Sequence, residues 1–284
     1  MVPATPLYVW GVTICCETFG DRGDPAVLLI MGAMASMLWW PDEFCRRLAD
    51  SGRFVIRYDN RDTGRSTGYE PGTATYTADD MADDAIAVLD EHGVDRAHVV
   101  GMSMGGGIAQ QVVLDHPDRV LSLTAISTSA IGDQDGDLPG PSSQYMEHAA
   151  AFEDLDWSDT TALADLLVRD ARALSGTRHA FDDAAARELV KRDLERANDP
   201  SRLVNHDSVG GGEGKARRAA DIGVPLLVIH GTADPLLPLP HGVALAEAVP
   251  GATLVSIEGG GHELHENDWD QMLGAIVAHT AAPR

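Results

Sequence analysis

The run Val99-Val100-Gly101-Met102-Ser103-Met104-Gly105-Gly106-Gly107 holds a Gly-x-Ser-x-Gly pattern at the end of an apolar stretch. Glycines on both sides of a serine permit a tight strand-to-helix turn, which pushes the Ser103 hydroxyl into the open. The same turn aims the Met104 backbone N–H at the point where an attacked carbonyl oxygen would sit. A helix N-terminus behind that point favours developing negative charge. This is the chemistry of acyl transfer by a serine nucleophile. A chain with 29 glycines can produce the pattern by chance, so its partners decide its meaning.

A serine hydroxyl needs an imidazole to take its proton and a carboxylate to orient that imidazole. In a parallel α/β sheet such groups gather beyond the carboxyl ends of strands. The acid and the histidine should therefore follow two later strands, in that order. The apolar stretch Leu226–His230 leads into Gly231-Thr232-Ala233-Asp234-Pro235, which makes Asp234 the expected acid. The preceding strand, Leu121–Ile126, leads into Ser127-Thr128-Ser129 and offers no competing acid. Thr253–Ile257 leads into Glu258-Gly259-Gly260-Gly261-His262, whose glycines let the loop bend back and whose histidine is the expected general base.

A second oxyanion donor is expected at Ala33 N–H, where Leu29-Ile30-Met31-Gly32-Ala33 turns at the end of an early strand. Met31, Met34, Met37, Met102 and Met104 crowd the same region, and thioethers adapt to irregular apolar shapes. Met34 and Met102 are the expected substrate contacts, with Trp157 reaching in from a lid. His262-Glu263-Leu264-His265 lacks His-Glu-x-x-His spacing, so neither a metal nor a cofactor is expected.

The elements that must position these groups follow from apolar β-branched runs alternating with amphipathic ones. Expected strands are Tyr8–Trp10, Thr13–Thr18, Ala26–Met31, Phe54–Tyr58, His98–Gly101, Leu121–Ile126, Leu226–His230 and Thr253–Ile257. Helices are expected over Asp42–Asp50, Ala78–His92, Met104–His116, Gly242–Ala248 and Asp268–Thr280. Together they make a mostly parallel eight-stranded α/β core, in two parts, 1–132 and 215–284. Between them, 133–214 reads as a helical cap inserted after the sixth strand, with helices at Thr160–Leu174 and Asp182–Arg196. It ends in the flexible joint Gly210-Gly211-Gly212-Glu213-Gly214.

Strand, elbow, acid and histidine in this order resemble the α/β-hydrolase family along the whole chain. Trp40-Pro41-Asp42-Glu43-Phe44, the run from Val55 to Thr67 (Val-Ile-Arg-Tyr-Asp-Asn-Arg-Asp-Thr-Gly-Arg-Ser-Thr) and the run from Gly93 to Gly101 (Gly-Val-Asp-Arg-Ala-His-Val-Val-Gly) resemble its aclacinomycin methylesterase branch. The resemblance implies a carboxylic-ester hydrolase for bulky polycyclic polyketide esters, with nucleophile, acid and base at Ser103, Asp234 and His262. It also implies a structural loop in which Asp59 and Arg61 pair to brace the nucleophile turn. The insertion is shorter than that branch's, and Ala33 stands where a glycine is usual. Other reactions share such an elbow: cofactor-free perhydrolysis (the haloperoxidase type) and carbon–carbon bond hydrolysis. A small-molecule receptor without turnover is the alternative from another class.

Composition bounds the partners. Acidic residues outnumber basic ones 44 to 21, for a formal charge of −23 over 284 residues. That charge disfavours nucleic acid and anionic membrane surfaces and leaves a small-molecule ester as the expected partner. No signal peptide is expected. The three cysteines, Cys15, Cys16 and Cys45, form no disulfide framework or Cys-x-x-Cys pair, and a cytoplasmic protein is expected. Oligomeric state leaves no mark in the sequence.

Overall fold

A computed structural model describes residues 5–9, 11–132, 138–210 and 216–281. In chain order the elements are β1 (Thr5–Val9), β2 (Val12–Phe19), β3 (Ala26–Ile30), α1 (Asp42–Asp50), β4 (Phe54–Tyr58), α2 (Ala78–Glu91), β5 (Ala97–Met102), α3 (Met104–Asp115) and β6 (Val120–Ile126). There follow α4 (Ser143–Ala149), α5 (Thr160–Leu174), α6 (Asp183–Arg196), a 3₁₀ run at Pro200–Ser208, β7 (Leu226–Gly231), α7 (Pro240–Ala248), β8 (Thr253–Ile257) and α8 (Trp269–His279). The eight strands form one sheet in the order β1-β2-β4-β3-β5-β6-β7-β8. β2 runs antiparallel to β1 and β4, and the other neighbours pair in parallel.

Every residue of β3, β4, β5 and β7 is buried, as befits parallel strands covered on both faces. Successive β3 side chains divide between two core clusters. Ala26, Leu28 and Ile30 pack with residues of α2, α3 and α7. Val27 and Leu29 pack with residues of α1 and α8. The sheet is thereby sandwiched, and all the parallel strands deliver their carboxyl ends to one edge.

Local chemistry sets the helix starts. Thr77 and Asp80 form a reciprocal capping box at α2, and Asp159 and Asp182 accept N–H bonds at the starts of α5 and α6. The first strand spans Thr5–Val9 rather than Tyr8–Trp10, and Trp10 lies outside the described residues. α4 and the 3₁₀ run lie outside the expected elements, and at seven and nine residues both are short. The expected boundaries at 133 and 214, and most of the glycine joint, also lie outside the described residues. No helix among the described residues is long and apolar enough to cross a membrane.

Candidate active site

Ser103 sits between β5 and α3 with φ 54° and ψ −123°, a conformation that costs a non-glycine residue about 1–3 kcal/mol. Its backbone is held from several sides. Its N–H donates to Ile126 O at 2.9 Å, and its carbonyl accepts from Thr128 Oγ1 and Gly106 N, both at 2.8 Å. Close packing is the reason for glycine at 105: a Cβ there would lie 2.3 Å from Ile30 O. Unlike Thr77 or Ser142, this N-cap residue makes no side-chain capping bond. A cap needs extended backbone to turn its oxygen onto the helix N–H groups. The positive φ turns it elsewhere, and the hydroxyl makes no hydrogen bond among the described residues. Met104 opens α3, so its N–H has no partner inside the helix.

Asp234 lies just beyond β7 and His262 beyond β8. His262 Nδ1 donates to Asp234 Oδ2 at 2.8 Å, with both residues buried. The other carboxylate oxygen accepts two backbone bonds, from Leu236 N at 2.9 Å and Leu237 N at 2.8 Å. His230, at the end of β7, completes the support: its Nε2 donates to Leu237 O at 2.7 Å and lies 3.5 Å from Asp234 Oδ2. Burial pushes the His230 pKa down, which keeps that ring neutral. Sequence reasoning missed it, because a histidine inside an apolar strand carries no signal of whom it faces. Nε2 of His262 makes no hydrogen bond among the described residues.

Gly32 packs directly on the nucleophile, where a Cβ would stand 3.1 Å from Ser103 Cβ. Ala33, the next residue, is exposed. A cleft of about 300 Å³ opens beside Ser103 and Met104, walled by Thr128, Ile131, Val209 and Leu237 among others. Ala33, Met34, Met102 and Trp157 do not line it. Met102 is 7% exposed and packs in the core with Met31 and Trp40. Met34 and Trp157 both rest on the insertion's own apolar cluster around Leu163 and Leu167. Val209 and Leu237 come from loops whose placement depends on the whole fold, which is why local pattern did not single them out.

The loop after β4 also differs from expectation. Asp59 and Arg61 do not pair. Arg61 is bidentate to Asp84 of α2 at 2.6 and 2.9 Å, while Asp59 binds Arg196 of α6 at 2.7 Å. One group among the described residues has metal-ligating geometry: His179, His265 and Asp268. Its carboxylate is already engaged by Arg178 at 3.2 Å and His179 at 3.0 Å.

A family model described as the α/β-hydrolase fold matches residues 25–268. The chain belongs to the α/β-hydrolase family. The hydrolase is 38% identical to the rhodomycin D methylesterase DauP of Streptomyces sp. (strain C5), over 95% of this chain and 96% of that one. It is 37% identical to the rhodomycin D methylesterase DnrP of Streptomyces peucetius over the same shares. Among solved structures it resembles the 2-hydroxy-6-oxo-6-phenylhexa-2,4-dienoate hydrolase of Rhodococcus sp. strain RHA1, with TM-score 0.78, 22% identity and 98% of each chain covered. It also resembles an esterase of Exiguobacterium antarcticum, with TM-score 0.78, 21% identity and 97% of this chain and 98% of that one covered. Both likenesses bear on the fold of the hydrolase.

Proposed function

We propose that the hydrolase is a serine carboxylic-ester hydrolase acting through Ser103, His262 and Asp234. The observation that carries the reading is the buried 2.8 Å bond between Asp234 and His262, presented at the same sheet edge as an uncapped serine. Asp234 keeps the proton on Nδ1, so Nε2 is the basic nitrogen. Ser103 Oγ attacks the ester carbonyl as its proton passes to His262. The N–H groups of Ala33 and Met104 hold the tetrahedral oxyanion. His262 then protonates the departing alcohol, and water repeats the sequence on the acyl-enzyme. Contact between Ser103 and His262 commonly tightens only when substrate arrives.

A methyl ester on a bulky polycyclic acid is the substrate class, supported by two nearly full-length methylesterase relatives and by a cleft large enough for an extended apolar group. The inserted helices act as the cap, with Val209 on one wall of the cleft. The three cysteines are buried free thiols, as a cytoplasmic setting favours.

The test is turnover of p-nitrophenyl esters of rising acyl length and of a polycyclic methyl ester, wild type beside Ser103→Ala. Serine-dependent hydrolysis is expected, with the alanine variant down at least about a thousandfold. Retained hydrolysis in Ser103→Ala would overturn the assignment. Turnover of peroxide or vinylogous diketones in place of esters would redirect it to another reaction on the same residues.

A further inference from the structure

The segment from Met31 to Met37, which carries Ala33, is fastened along its length. Asn60 Nδ2 donates to Met31 O at 2.9 Å, and Met37 N–H donates to Asp59 Oδ1 at 3.0 Å. Between these, Met34 N–H donates to His206 Nδ1 at 2.8 Å, and His206 Nε2 donates to Arg61 O at 2.7 Å. Residues 59, 60 and 61 thus hold the segment directly at its ends and through His206 at its middle. We propose that His206 is a positioning residue for the oxyanion site, setting the peptide that follows Ala33. This rests on the serine-esterase reading above and names a residue that reading does not include.

Three observations carry it. Met34 has φ 58°, a left-handed conformation that a side-chain-bearing residue keeps only when its surroundings impose it. The bond from its N–H fixes the peptide on the N-terminal side of that strained residue. Ala33 is then trapped between two fixed peptides, one packed on Ser103 through Gly32 and one tied to His206. Second, the two bonds define the tautomer. Nδ1 accepts and Nε2 donates, so the ring is neutral and both nitrogens are occupied. His206 is 5% exposed, and burial lowers its pKa, in keeping with a fixed strut and not a proton carrier. Third, His206 belongs to the 3₁₀ run of the insertion, which also reaches this segment through Asp193 of α6 on Ser36 and through the apolar cluster under Met34. Its neighbour Asn205 docks that run by accepting from Gly72 N at 2.7 Å and donating to Tyr69 O at 3.1 Å. Seating the insertion therefore completes the oxyanion site.

The two halves of the imidazole can be tested apart. Asparagine places an acceptor near Nδ1 but cannot reach Arg61, whereas glutamine places a donor near Nε2 and loses the acceptor for Met34. Wild type, His206→Ala, His206→Asn, His206→Gln and Ser103→Ala are compared on a p-nitrophenyl ester. A boronic acid inhibitor serves as the oxyanion mimic, and thermal melts verify folding. Loss of the Met34 bond in His206→Gln and His206→Ala is expected to lower kcat by about 10- to 100-fold, below the cost of deleting an oxyanion donor outright. KM stays nearly constant, and boronate binding weakens in step with kcat. His206→Asn recovers most of the lost kcat. Amide exchange over residues 31–37 rises in the glutamine variant and not in the asparagine one. Equal kcat in the asparagine and glutamine variants, or unchanged exchange in both, overturns the proposal. Ester hydrolysis surviving in Ser103→Ala instead overturns the serine reading, and the exchange measurement judges His206 independently.

Discussion

The backbone N–H of His262 donates to the carbonyl of Leu174 at 2.8 Å. This bond ties the proposed general base to the last residue of α5 in the insertion. Its neighbours reinforce it: Thr177 N and Arg178 N both donate to Gly259 O, and Gly176 N donates to Glu263 Oε1 at 2.7 Å. Gly259 and Gly261, two of the three glycines before His262, serve this contact as well as the bend. A Cβ on Gly261 would lie 2.3 Å from Gly176 N. Four hydrogen bonds thus join the loop between α5 and α6 to the loop bearing His262.

Asp234→Asn should abolish most turnover without unfolding the protein. The two N–H groups of Leu236 and Leu237 will claim the amide oxygen, which turns the NH₂ toward His262. Nδ1 must then accept, the proton moves to Nε2, and the base can no longer take the serine proton. A fall in kcat of roughly 10⁴-fold at unchanged melting temperature is expected. A loss below about tenfold would show that Asp234 does not set the tautomer.

Arg196→Ala should destabilise the whole chain. Arg196 is the side-chain cation on the fully buried Asp59 carboxylate, and its loss leaves that charge, among the described residues, with the N–H groups of Met37 and Arg65. Breaking a buried pair from one side costs about 3–5 kcal/mol. Urea unfolding is the measurement, and adding Asp59→Asn should recover part of the loss. A cost under about 1 kcal/mol would mean that water reaches Asp59 in the folded state.

Acid should weaken the fold through His98. Burial first, and then the charge of Arg53, push its pKa down to about 4. The unfolded chain therefore binds a proton in a range where the folded one does not. The stability this residue contributes is complete above about pH 6.5 and is lost as the pH falls toward its folded value. The stability difference between wild type and His98→Gln should shrink over that window, by up to about 1.4 kcal/mol per pH unit. A difference independent of pH would refute the shift.

The alternation of strands and helices, the elbow at Ser103, and the placing of Asp234 and His262 just beyond later strands are all legible in the amino-acid order. These are local matters: apolar periodicity and glycine spacing act over a few residues, and a parallel sheet sends every strand end to one edge. Which side chains meet is a property of the folded chain. With 44 acids and 21 bases, each arginine has many acids that suit it by charge alone. Asp59 therefore pairs with Arg196, 137 positions away, instead of Arg61 two positions on. Met34 likewise meets His206 across 172 positions. Such contacts are selected by the shape into which distant segments pack, and that shape belongs to the folded chain as a whole.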